Sequence, residues 1–167
     1  MKIALLILGT LVLAVLVVVA IGYTLPQNHS VSRERTFSAN AEALFTLITT
    51  PAAYPEWRTG VTRVEILPPV NGLVSFRESG GDGDIVFVME TVEPGRRVVS
   101  RIADKSLPFG GSWTYELTPV AAGTVLRITE DGEVYNPLFR FISRFVLGHY
   151  KSIDRFLDDL DRPLRGL

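Results

Sequence analysis

Cysteine is absent from this chain of 167 residues, which excludes a disulfide framework, a thiolate metal site and a cysteine nucleophile. Histidine is nearly absent. Only His29 and His149 occur, so a three-histidine metal site cannot form. Neither sign of charge prevails: 17 basic and 18 acidic residues leave a formal net charge of −1, which excludes a strongly basic nucleic-acid binder by bulk electrostatics. There is no G-x-S-x-G elbow and no H-E-x-x-H pair. The stretch Ser79-Gly80-Gly81-Asp82-Gly83-Asp84 has neither the Lys-Ser/Thr ending of a P-loop nor the ligand pattern of an EF-hand, so it reads as a hairpin tip. No metal, no cofactor and no nucleic-acid partner is expected.

What is present begins with an apolar run. Residues 3–22 carry no charge, and only Gly9, Thr10 and Gly22 interrupt the hydrophobic side chains. At about 1.5 Å per residue, such a helix reaches roughly the 30 Å of a bilayer core. Tyr23 follows as an interfacial aromatic, and Pro26 ends the helix. Residues 1–23 thus read as a single-pass transmembrane anchor, 24–32 as a polar tether without regular structure, and 33–167 as one domain. A cleaved signal peptide competes, since Ala20-Ile21-Gly22 offers small residues for cleavage. The run is nevertheless longer than the usual apolar region of roughly 7–15 residues. Lys2 favours a domain on the non-cytoplasmic side, and Arg33 and Arg35 weigh against it.

Beyond the tether, residues 31–37 alternate as a strand. Asn40 stands where a helix cap belongs, ahead of a helical pattern over 41–48. Pro55 limits residues 50–57 to a short second helix. Six further strands are expected at 61–67, 73–78, 85–92, 97–102, 112–118 and 124–134, separated by Gly- and Pro-rich turns. Short connections between successive strands make an antiparallel meander. Asn136-Pro137 then opens a helix expected to run to Asp161. Its stripe of Leu138, Ile142, Phe145, His149, Ile153, Phe156 and Leu160 must be buried, and the sheet is the available partner.

Three blocks carry a family resemblance. The first is Phe37-Ser38-Ala39-Asn40-Ala41-Glu42-Ala43-Leu44-Phe45 with Thr50-Pro51-Ala52-Ala53-Tyr54-Pro55-Glu56-Trp57. The second is Trp113-Thr114-Tyr115-Glu116-Leu117-Thr118-Pro119 with Gly123-Thr124-Val125-Leu126-Arg127-Ile128-Thr129-Glu130. The third is the closing helix. In these the chain resembles the START-like (SRPBCC) superfamily, in its polyketide cyclase/dehydrase branch, over about residues 31–162. Asn40 stands where the family often has Pro. The resemblance implies an α+β helix-grip fold, a curved antiparallel sheet wrapped around a long C-terminal helix. It also implies a cavity between them for a hydrophobic small molecule or lipid. Fold analogy does not choose between carriers and enzymes.

Strand alternation puts Trp113, Tyr115 and Leu117 on one face, and Leu126, Ile128 and Glu130 on one face of the next strand. If these apolar sets look inward, Glu130 is carried toward the cavity, where it could act as an acid or base. The alternative is a solvated Glu130 at the strand end. His149 lies within the helix stripe, either facing the cavity or satisfied as a core histidine. Glu130 and His149 are therefore the catalytic candidates. Tyr54, Trp57, Trp113, Tyr115, Leu126, Ile128, Phe145 and His149 are the candidate ligand-binding set, with Tyr54 and Trp57 either roofing the cavity or simply packing. Arg77 and Arg101 are inward head-group ligands or, as is usual for strand arginines, solvated. Three functions stay open: a membrane-anchored ligand carrier, a cyclase-like enzyme, and an interaction module whose cavity is filled by side chains.

Overall fold

A computed structural model describes residues 2–164 apart from Asp82 and His149. The chain opens with helix α1 (Lys2–Thr24), whose mean hydropathy over its most apolar window is 3.2. It is long and apolar enough to cross a membrane, a property that a signal sequence shares. Strand β1 (Asn28–Phe37) begins three residues before the expected start. It pairs antiparallel with β7 (Gly123–Val134) from Asn28 opposite Glu133 to Phe37 opposite Thr124. The segment read as an irregular tether is therefore irregular only over residues 25–27, because long-range pairing recruits residues 28–32 into the sheet.

After β1 come helix α2 (Ala41–Thr49), a 3₁₀ turn (Pro51–Ala53) and the short helix α3 (Tyr54–Trp57). Asn40 caps α2 as expected: its side-chain oxygen accepts the Ala43 N–H at 2.8 Å. The chain then runs through β2 (Val61–Val70), β3 (Leu73–Gly80), β4 (Gly83–Glu93), β5 (Arg97–Ile102) and β6 (Phe109–Val120) into β7. The order in the seven-stranded sheet is β1-β7-β6-β5-β4-β3-β2. All connections from β2 to β7 are hairpins, and only the α2–α3 excursion crosses from one sheet edge to the other. β6 takes in Gly110 and Gly111, which look like a turn in sequence; pairing with Glu133 and Gly132 overrides that local signal.

The C-terminal helix fills the curved sheet but starts later than its sequence stripe indicates. Helix α4 (Pro137–Ile142) passes into a π turn (Ser143–Leu147), and Gly148 ends it at φ +73°. That left-handed conformation suits glycine and stops a helix. Helix α5 (Lys151–Leu164) then sets out separately. Ile153, Phe156, Leu157 and Leu160 of α5 are buried with Phe76, Met89, Val98, Leu117, Leu126 and Ile128 of the sheet in one core. Leu138 and Phe145, from the first half of the stripe, are exposed. His149 lies outside the described residues. Helix α4 packs instead against the end of α1, where a side chain on Gly22 would collide with the Pro137 carbonyl.

This division of the stripe predicts unequal stabilities. Leu160→Ala should lower the free energy of unfolding by about 2–5 kcal/mol, as for a fully buried leucine. Leu138→Ala should change it by about 0.5 kcal/mol or less. Denaturant unfolding of the detergent-solubilised full chain measures both. Equal losses would mean that α4 also packs into the core.

Candidate functional site

The inner face of the grip is built from aromatic side chains delivered by four elements. Tyr54 and Trp57 come from α3, Trp113 and Tyr115 from β6, Phe76 from β3 and Phe156 from α5. Phe156 is the hub. Its ring centroid lies 5.4 Å from Trp57, 5.6 Å from Trp113 and 5.5 Å from Tyr115. The first two contacts are edge-to-face, at 75° and 79°, the arrangement that the ring quadrupole favours. Tyr54 meets Trp57 and Phe76 in the same way. Leu126 and Ile128 of β7, both fully buried, complete the inner wall. The cavity expected between sheet and helix is thus occupied by packed rings.

Two polar groups enter this apolar interior. Arg58, the residue after α3, places its guanidinium 4.6 Å from the Tyr54 ring centroid and 5.2 Å from that of Phe156, and forms an ion pair with Glu78 of β3. Burial works against the Arg58 charge, but Glu78 outweighs it and raises the pKa above the ordinary arginine value. Burial also raises both tyrosines: Tyr54 and Tyr115 remain protonated well above the usual range, although Arg58 pulls the other way. The Tyr54 hydroxyl donates to the Ile48 carbonyl. The Trp57 indole N–H has no such acceptor. It is buried without a hydrogen-bond partner among the described residues.

A second cluster sits at the end of the sheet nearest α1. Glu130 of β7 lies opposite Trp113 of β6, as the strand register requires. Its carboxylate accepts the Trp113 indole N–H at 2.8 Å and the Ser152 hydroxyl of α5 at 3.1 Å. The other carboxylate oxygen is 3.2 Å from His29 Nε2, a contact that requires the proton on that nitrogen while Glu130 is ionised. Gly132 faces His29 across the strands, and the imidazole lies where a side chain at position 132 would stand. Glu130 therefore ties β1, β6 and α5 together. Chemically it is a part-buried carboxylate held by three donors, from His29, Trp113 and Ser152.

The sequence-derived set is largely brought together. Tyr54, Trp57, Trp113, Tyr115, Leu126 and Ile128 surround one interior, and Glu130 stands at its end. Phe145 does not join them. It is 60% exposed on the π turn, its ring 4.9 Å from that of Phe141 and tilted by 48°, because Gly148 separates it from α5. The expected partner His149 lies outside the described residues, whereas His29 contacts Glu130 directly. Sequence reasoning missed His29 because it placed that residue in an irregular tether. The available signal was Gly132, a strand glycine that leaves room for a neighbouring ring. Arg77 pairs with Glu65 on a neighbouring strand and Arg101 is exposed, so both belong to the solvated face.

Two pockets lie outside this interior. One, of about 490 Å³, opens on the outer side of α5 beside Thr59, Lys151, Arg155 and Arg162. The other, of about 150 Å³, lies at the end of α1 beside Pro26, His29, Arg140 and Arg144. Among the described residues no group of three His, Asp or Glu side chains converges to hold a metal ion.

Residues 28–164 match the model of a family described as polyketide cyclase / dehydrase and lipid transport. Comparison with curated proteins gives no match. Among solved structures, a START superfamily protein from Mycobacterium smegmatis has a TM-score of 0.67 at 16% identity, covering 83% of this chain and 98% of its own. A norcoclaurine synthase point mutant from Thalictrum flavum, in complex with a transition-state analogue, has a TM-score of 0.64 at 11% identity, covering 83% and 95%. A di-domain ARO/CYC protein of the steffimycin biosynthetic pathway has a TM-score of 0.61 at 17% identity, covering 81% of this chain and 49% of its own. At such identities the likeness concerns the fold alone.

The raised tyrosine pKa values carry a pH signature. Between the ordinary tyrosine value of 10.0 and the higher folded values, the unfolded chain releases protons that the folded chain keeps. Stability from these groups should be complete below pH 10 and should fall as the pH rises above it. Phenolate absorbance followed together with circular dichroism should show Tyr54 and Tyr115 ionising only as the chain unfolds. Ionisation of all five tyrosines with the fold intact would contradict their burial.

Proposed function

This chain belongs to the polyketide cyclase / dehydrase and lipid transport family, and we propose that it is a membrane-anchored member that holds a hydrophobic small molecule or lipid between sheet and α5. The observation that carries the reading is the buried indole N–H of Trp57. A buried donor without an acceptor costs about 1–3 kcal/mol, and a ligand oxygen among the rings would recover that loss. The surrounding aromatic wall supplies apolar contact, and Arg58 and Glu130 mark the two polar ends of the interior. Binding then proceeds by displacement of rings rather than by filling a preformed void. Helix α5 is the wall such a displacement would shift, and Gly148, at φ +73°, makes it a separate element from the π turn before it. Helix α1 supplies the anchor, and Lys2 favours a domain on the non-cytoplasmic side.

The packed interior also favours a second reading, an interaction module without a ligand. Trp57→Phe separates the two, because it keeps an aromatic ring and removes only the N–H and the larger ring's bulk. Native mass spectrometry of the full chain released in detergent, followed by organic extraction, should find a reproducible apolar molecule. Its retention should weaken about 2- to 10-fold in W57F, the value of one hydrogen bond. No co-purifying molecule, with W57F at least as stable as the parent, would favour the filled module.

Sidedness has its own test, made simple by the absence of native cysteine. Thr118→Cys at the far end of β6 should react with an impermeant thiol reagent in intact cells. Labelling only after lysis would reverse the orientation.

A further inference from the structure

We infer that the segment from α4 through the π turn, Pro137–Leu147, is embedded in the membrane interface and seats the domain directly on a bilayer rich in acidic lipid. The inference rests on α1 being a retained anchor. Helix α1 has 23 residues, which at about 1.5 Å each give a length close to the bilayer core. Gly22 stands two residues from its end, so the Pro137 backbone that packs against Gly22 meets α1 at the bilayer boundary. The connection is short and fixed. The Val134 N–H donates to the Gln27 carbonyl at 2.9 Å, and the Arg140 guanidinium donates to the carbonyls of Val134 and Tyr135 at 2.8 and 3.0 Å. Helix α4 therefore cannot drift away from the end of α1 without breaking these bonds.

What this segment exposes is apolar. Leu138, Phe139, Phe145 and Val146 are 37%, 48%, 60% and 70% exposed within ten residues of chain. A cluster of that kind needs an apolar neighbour. Here the neighbour follows from continuity with α1, whose own exposed side chains end at the same place. Two exposed tyrosines stand at the level of the head groups, Tyr23 on α1 and Tyr135 just ahead of the segment, while Tyr150 after it packs under the Arg33 guanidinium. Between residues 136 and 151 there are three basic residues, Arg140, Arg144 and Lys151, and no acidic one. Apolar side chains with a basic margin complement an interface of acidic lipid. The placement also puts Glu130 and His29 close to the membrane surface, since Glu130 lies four residues before Val134 at the end of β7.

Depth measurement tests the inference on the full chain. Single cysteines V12C, F145C, V146C and T118C, each spin-labelled, are reconstituted in vesicles of phosphatidylcholine and phosphatidylglycerol at 3:1. Thr118 lies nine residues along β6 from Phe109, which pairs with Val134, so at about 3.3 Å per residue its label stands some 30 Å from the segment. The expected result is oxygen-dominated collision at positions 12, 145 and 146, with the ratio to an aqueous relaxant several-fold above that at 118. Labels at 145 and 146 as water-accessible as at 118, with 12 still deep, would overturn the inference and leave the anchor standing. A water-accessible label at 12 would overturn the anchor and the inference with it. Leu138→Cys gives an independent position on α4 if a label on the π turn disturbs it.

Discussion

The pairing of β1 with β7 is the contact on which the other features depend. It joins residues about a hundred positions apart, from Asn28 opposite Glu133 to Phe37 opposite Thr124. A slip of one residue would turn every β1 side chain to the wrong face. In the native register Val31 packs against the core, and Arg33 and Arg35 reach the α5 carboxylates Asp154, Asp158 and Asp161. Those exposed ion pairs are worth little individually, but they set the azimuth at which α5 lies in the sheet. The same register brings His29 over Gly132 and onto Glu130. It also fixes where the chain leaves the sheet, and hence the short approach of α1 to α4.

Much of this was legible in local pattern. Asn40 as a helix cap, the alternation of Trp113, Tyr115 and Leu117, and the stripe of Ile153, Phe156 and Leu160 each stand in the element and on the face that sequence implies. What was not legible depends on distant contacts or on a single backbone choice. Residues 28–32 are polar and look irregular, and only β7 makes them a strand. Gly148 sits within a helical pattern that continues on both sides, so periodicity runs through it, whereas the backbone adopts φ +73° and divides the helix. Phe145 was carried to the wrong side by that one residue. The ion pair of Arg58 with Glu78 left no trace in spacing at all, because its partners come from α3 and β3.

The division at Gly148 separates two roles that a single long helix would have merged. Helix α5 closes the sheet and contributes Phe156 to the interior. The segment before it belongs to α1 and faces outward. Between them stands the Glu130 cluster, whose donors come from β1, β6 and the first turn of α5. Movement of α5 away from the sheet must therefore break the Ser152 bond to Glu130 and expose the Trp113 indole. Separation of α5 from the sheet and loss of the Ser152–Glu130 hydrogen bond are one event.

The most direct measurement is the NMR signal of the two indole N–H groups in the full chain, labelled with ¹⁵N-tryptophan and held in lipid nanodiscs. The Trp113 indole is bonded to Glu130, while the Trp57 indole is buried without a protein acceptor. If a ligand occupies the grip, stripping apolar molecules from the protein should move the Trp57 resonance and leave the Trp113 resonance nearly in place. A Trp57 resonance that is identical before and after stripping would contradict a ligand between sheet and α5.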